Sequence, residues 1–123
     1  MNDNEKYKLE YSFHEKGWGY EKWLVNNELY CAKILHIQSK KRCSWHYHKI
    51  KTESFFIQSG SVIIKYSWED DINLSNEQIL REGEAFHIPV GLRHMIIAVE
   101  TSDILEVSTK HLEEDSYRII RGD

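Results

Sequence analysis

The chain has 123 residues, 41% of them hydrophobic, with 16 Lys and Arg against 20 Asp and Glu for a formal net charge of −4. That length suits one domain able to bury a core without disulfides, and the ordinary apolar fraction excludes a disordered chain. No run approaches the roughly eighteen apolar residues of a membrane span. A net acidic chain also lacks the basic footprint of a nucleic-acid binder, despite the local cluster Lys40, Lys41, Arg42, Lys49 and Lys51.

The start, Met1-Asn2-Asp3-Asn4-Glu5-Lys6, has no apolar stretch behind a basic one, so no secretory signal is read and a cytoplasmic location is expected. Residues 2–10 and 113–123 are charged and read as arms over the surface. After the first arm, Trp18, Tyr20 and Trp23 suit a strand covering one edge of a sheet structure. Further strands are predicted over 30–38, 54–58, 61–68, 85–89, 94–99 and 104–109, runs rich in Val, Ile, Tyr, Phe and Trp. One proline and six glycines fall at the turns between such runs. Residues 75–81 offer a cap at Ser75 or Asn76 but only Ile79 and Leu80 as apolar members, so they read as a turn or a strand entry. Short antiparallel strands protect their edges by closure, which predicts an all-β barrel or double-sheet sandwich. Cys31 and Cys43 stand singly and are expected as buried free thiols.

The chemistry concentrates in a few residues. In Trp45-His46-Tyr47-His48 two histidines stand two apart in an extended segment, so they share a face. Their Cα atoms lie roughly 7 Å apart, and two imidazoles can lean onto one ion at about 2.1 Å each. Glu53 follows after a turn and can supply a carboxylate, and His94, just past Pro89-Val90-Gly91, can approach from a neighbouring strand. His14, His36 and His111 read as packed or exposed side chains rather than ligands.

The spacing His46-x-His48, four residues, Glu53, six residues, Gly60 resembles the first motif of the cupins. Gly83, five residues, Pro89-x-Gly91, two residues, His94 resembles the second. Two positions depart from the family pattern: Lys40 stands where a glycine often opens the first motif, and Ala98 where an asparagine often closes the second. The resemblance implies a single cupin domain over 1–123, a double-stranded β-helix or jelly-roll-like barrel with its metal-binding core at about 30–109. It also implies that His46, His48, Glu53 and His94 hold one divalent transition metal ion. Three imidazoles and a carboxylate suit Fe, Mn, Ni, Co, Zn or Cu alike. In an octahedral ion, four protein ligands leave two positions open to a substrate with adjacent oxygens.

Around this centre, Lys51 and Arg93 are candidates to bind an anionic small-molecule substrate, and His87 is a candidate general acid or base. Phe55 and Ile57, at even steps from Glu53, are expected to face the same way as that ligand. Trp18-Gly19-Tyr20-Glu21 resembles the Trp-Gly-x-Glu entry of the mannose-6-phosphate isomerase type of cupin. That resemblance implies a metal-dependent isomerase or epimerase acting on a sugar or sugar phosphate. An Fe(II) dioxygenase and a non-catalytic ligand-binding module are the alternatives. A homodimer paired through the aromatic N-terminal strand is expected, with no nucleic-acid or membrane partner.

Overall fold

The computed structural model describes residues 5–123, so residues 2–4 of the expected N-terminal arm lie outside the described residues. Eleven strands follow in order: β1 (Ser12–Lys16), β2 (Gly19–Asn26), β3 (Cys31–Ile37), β4 (Trp45–Tyr47), β5 (Glu53–Ser59), β6 (Ser61–Ser67), β7 (Asn76–Arg81), β8 (Ala85–Ile88), β9 (Arg93–Ala98), β10 (Ser102–Ser108) and β11 (Tyr117–Ile120). They form two antiparallel sheets, one ordered β1-β2-β3-β10-β5-β8 and the other β11-β4-β9-β6-β7. The architecture is all-β, as the alternating runs predict.

Alternation explains how the sheets face each other. In β3 the burial pattern makes Cys31, Lys33, Leu35 and Ile37 buried and their neighbours only partly so, the period of a strand with one face inward. Phe55 and Ile57 do the same behind Glu53 in β5, as expected from their parity. With Val62, Ile64, Ile88, Ile96, Ala98 and Ile104 these side chains make one continuous core. Each buried large aliphatic or aromatic side chain contributes about 1.5–3 kcal/mol through removal of its surface from water.

Residues 75–81, read as a turn or strand entry, pair as β7 along the whole of β6. The segment 113–123, read as a surface arm, is built into the barrel instead. β11 pairs antiparallel with β4, and Asp115, just before it, is only 2% exposed. The acidic run Glu113-Glu114-Asp115 hides this in the sequence, because two of its three members do face solvent.

Two backbone positions fix the entries to the site. Gly19 has a φ of +149° and a Cβ there would meet the carbonyl of His36, so the strand can run beside β3 only without a side chain. Lys40 adopts a φ of 67°, the left-handed conformation that favours the glycine it replaces. Its N–H donates to the carbonyl of Ala98 at 2.8 Å, so the two departures from the motif pattern meet through the backbone.

Candidate metal centre

The four predicted ligands come from both sheets. His46 lies in β4 directly opposite His94 of β9, and His48 follows just past the end of β4. Glu53 opens β5 in the facing sheet. One donor atom from each of the four lies within 4.8 Å of all the others. The carboxylate oxygen Oε1 of Glu53 is 2.8 Å from His94 Nε2 and 3.6 Å from His48 Nε2.

Outer contacts decide which nitrogen of each ring faces this point. His46 Nδ1 lies 3.0 Å from the carbonyl of Ser44, His48 Nδ1 2.9 Å from that of Asp115, and His94 Nδ1 3.0 Å from that of Leu92. A carbonyl only accepts, so each Nδ1 carries the hydrogen and each Nε2 turns a lone pair inward. His94 Nε2 and both oxygens of Glu53 are buried without a hydrogen-bond partner. The short approaches among them therefore bring acceptors together, an arrangement that a shared cation between them satisfies. Burial, followed by the neighbouring His94 and His48, holds the pKa of His46 well below the usual imidazole range, which keeps its lone pair free. Burial opposes charge on Glu53, and the Lys51 ammonium 3.1 Å away favours it. The four side chains form a binding group for one divalent transition metal ion.

Asp115, which the sequence reading passed over, supports two of these ligands. Beyond its carbonyl on His48, its carboxylate accepts from the backbone N–H of Lys49 and Lys51, each at 2.9 Å, and of Ile50 at 3.1 Å. It thus shapes the turn that joins His48 to Glu53. Lys51 is likewise interior: its Nζ lies 3.1 Å from Glu53 Oε2, 2.9 Å from Glu106 Oε2 and 3.2 Å from His111 Nδ1. The contact to Glu53 is an ion pair outside hydrogen-bond geometry, which is why that oxygen counts as unpartnered while still feeling the charge. Glu106 and Glu53 together hold Lys51 protonated, shifting its pKa upward against the effect of burial.

The centre opens into a cavity of about 340 Å³. Glu21, Lys33, Lys51, Phe55, Glu106 and His111 line it beside the four ligands. Trp18 and Glu21 of the Trp-Gly-x-Glu segment both face this space. His111, expected to be packed or exposed, is 8% exposed and lines the cavity without joining the ligand group. The other nominated residues stand apart. Arg93 lies 3.7 Å above the Tyr47 ring and pairs with Asp70 at 2.8 Å, on the face of β9 opposite to His94. His87 is exposed and lies 3.2 Å from the Ser54 hydroxyl. His87 alternates with the buried Ile88, and Arg93 shares the face of β9 that carries Met95 rather than the face of His94.

No family model and no curated protein matches the sequence. Solved structures do match. A tryptophan-to-tyrosine variant of oxalate decarboxylase from Bacillus subtilis superposes with a TM-score of 0.77 at 21% identity, over 89% of this chain and 30% of that one. The same enzyme at pH 4.6 gives 0.78 at 20% identity, with the same two coverages. The fold is that of a cupin. A third match, a Bacillus subtilis oxalate decarboxylase studied for its Mn(II) centres, gives 0.76 at 21% identity over 89% of this chain. This chain spans 30% of the length of those enzymes. Among its described residues no helix is long and apolar enough to cross a membrane.

Proposed function

We propose that this cupin is a metal-dependent isomerase or epimerase of a small, polar, anionic sugar-like substrate. The observation that carries the reading is the ionisable wall beside the centre: Glu106, 6% exposed, and Lys51, 3% exposed, share the cavity with His46, His48, Glu53 and His94. A bound divalent ion supplies Lewis acidity, making a proton next to a ligated carbonyl easier to remove. The protein's part is to take that proton and return it to a neighbouring carbon. Glu106 suits this role, because burial and then the nearby charge of Glu53 raise its pKa above the ordinary carboxylate range. Lys51 fixes its position through the 2.9 Å contact. Trp18 and Phe55 close the apolar side of the cavity and limit water around the exchanging proton.

The test is solvent-deuterium incorporation into a panel of sugars, sugar acids and sugar phosphates, followed by NMR with the metal-loaded protein. Exchange that disappears in Glu106→Gln, with metal content retained, supports the reading. Absence of exchange across the panel defeats it. Elemental analysis of His46→Ala checks the centre separately, and metal content equal to wild type would defeat the ligand set.

A homodimer and a cytoplasmic location belong to the same proposal. The aromatic segment of Trp18, Tyr20 and Trp23, expected at the sheet edge, runs into β2 between β1 and β3, so the free edge is β1, where Tyr7, Leu9, Tyr11 and Phe13 are 83, 65, 56 and 55% exposed along and before it. Light scattering that gives a monomer mass would overturn the dimer. The two buried thiols, free in the structure, suit a reducing compartment.

A further inference from the structure

Two of the lysines that line the cavity, Lys51 and Lys33, stand in very different circumstances. Lys51 is saturated, with two carboxylates and an imidazole nitrogen within 3.2 Å of its ammonium. Lys33, in β3, is equally withdrawn from solvent at 3% exposure, on the inward parity of Cys31, Leu35 and Ile37. Its ammonium lies 4.2 Å above the ring of Trp23 and 3.9 Å from Glu21 Oε1. That oxygen already accepts from Trp23 Nε1 at 2.7 Å. Glu106 is directly opposite Lys33 in the β3–β10 register, yet it pairs with Lys51 instead. Among the described residues the ammonium of Lys33 therefore makes no hydrogen bond, although it carries three donors.

The ammonium nitrogen opens onto the cavity, where its hydration is restricted and the face of Trp23 replaces only part of it, so an acceptor placed there is favoured. The charge balance of the cavity points the same way. Lys16, Lys33, Lys51, Arg118 and Arg121 line it together with Glu21, Glu53, Glu106, Glu113 and Asp123, so among these side chains a divalent ion at the centre leaves its two positive charges uncompensated. An anion entering the cavity supplies both the missing acceptor and the missing charge.

We propose that Lys33 is the anion receptor of the cavity, binding a distal carboxylate or phosphate of a substrate whose neighbouring oxygens reach the metal centre. This rests on the functional reading above and narrows it to substrates with an oxyanion separated from the chelating oxygens. Sugar acids and sugar phosphates both meet that description, and neutral sugars do not. Glu21 sets the strength of the receptor, since among the described residues its carboxylate is the one within 4.0 Å of the Lys33 ammonium and is partly occupied by Trp23.

The experiment measures equilibrium binding to manganese-loaded protein by calorimetry, with metal content determined on the same samples. Lactate and malate chelate alike but differ by a distal carboxylate, and glycerate and 3-phosphoglycerate differ by a distal phosphate. One charge-assisted contact gives wild type a preference of about 10- to 100-fold for the longer member of one pair, and the pair showing it identifies the anion. Lys33→Met removes the preference while metal content and affinity for the shorter member stay unchanged. Lys33→Arg retains part of it, and Glu21→Gln strengthens it by removing the competing charge. A preference that survives in Lys33→Met, or equal binding of both members of both pairs by wild type, overturns the receptor. A preference that behaves as described in a protein without deuterium exchange removes isomerisation and leaves the receptor standing. Wild type that takes up none of manganese, iron, cobalt, nickel, copper or zinc overturns both.

Discussion

Replacing Asp115 by alanine is the sharpest test of how the centre is held. The carboxylate accepts three backbone N–H groups of the turn between His48 and Glu53. Ile50 is 67% exposed, so water replaces the lost acceptor there. Lys49 is exposed as well and its N–H can turn to water in the same way, whereas Lys51 is 3% exposed and its N–H loses its partner without replacement. At about 1–3 kcal/mol for one unsatisfied buried donor, Asp115→Ala lowers the stability of the metal-free protein by about that amount. The carbonyl of residue 115 remains, so the His48 ring keeps its anchor wherever the arm stays in place. The turn loosens, however, and with it the spacing of His48 and Glu53, at a cost of about 10- to 100-fold in metal affinity. Urea denaturation of metal-free protein and competition with a chromophoric chelator measure the two effects. Metal affinity within twofold of wild type, in a variant that is folded, would refute the idea that Asp115 positions the ligands.

Other perturbations follow from the same contacts. Lys51→Met leaves Glu53 and Glu106 buried without their cation and costs about 3–5 kcal/mol, whereas Lys33→Met removes an unsatisfied charge and is neutral or stabilising, as denaturant midpoints will show. Lys40→Gly relieves the left-handed strain at a φ of 67° and raises stability by about 0.5–1 kcal/mol; an unchanged or lower thermal midpoint contradicts this. Burial pushes the thiols of Cys31 and Cys43 above their usual pKa, Cys43 well above. At pH 8 both remain protonated, so a chromogenic disulfide reagent reacts only after unfolding, and rapid reaction of the native protein would count against their burial.

The ligands were legible because strand parity and turn residues constrain them together. His46 and His48 must share a face, and the glycine-bounded turns bring Glu53 and His94 to the same end of the barrel. The predicted strands at 61–68, 85–89 and 94–99 reappear within a residue or two as β6, β8 and β9. The cavity wall was harder to read, since a charged residue in a strand is normally outward. Yet Lys33 shares parity with Leu35 and Ile37, and Glu106 with Ile104, and charges at inward positions were a signal available in the sequence. Arg93 illustrates the converse: adjacency to a ligand along a strand places a side chain on the opposite face. Asp115 left no such trace, because its role depends on pairing between segments more than sixty positions apart.

That long-range clasp has a kinetic consequence. β11 is an edge strand held by β4 alone, and β4 meets β9 at the single pair His46 and His94. Edge elements with few contacts detach more often than a barrel unfolds. Each detachment withdraws the support of Asp115 from His48 and the turn after it, while β5 and β9 keep Glu53 and His94 in place. Opening of the last strand therefore loosens one side of the centre without unfolding the barrel.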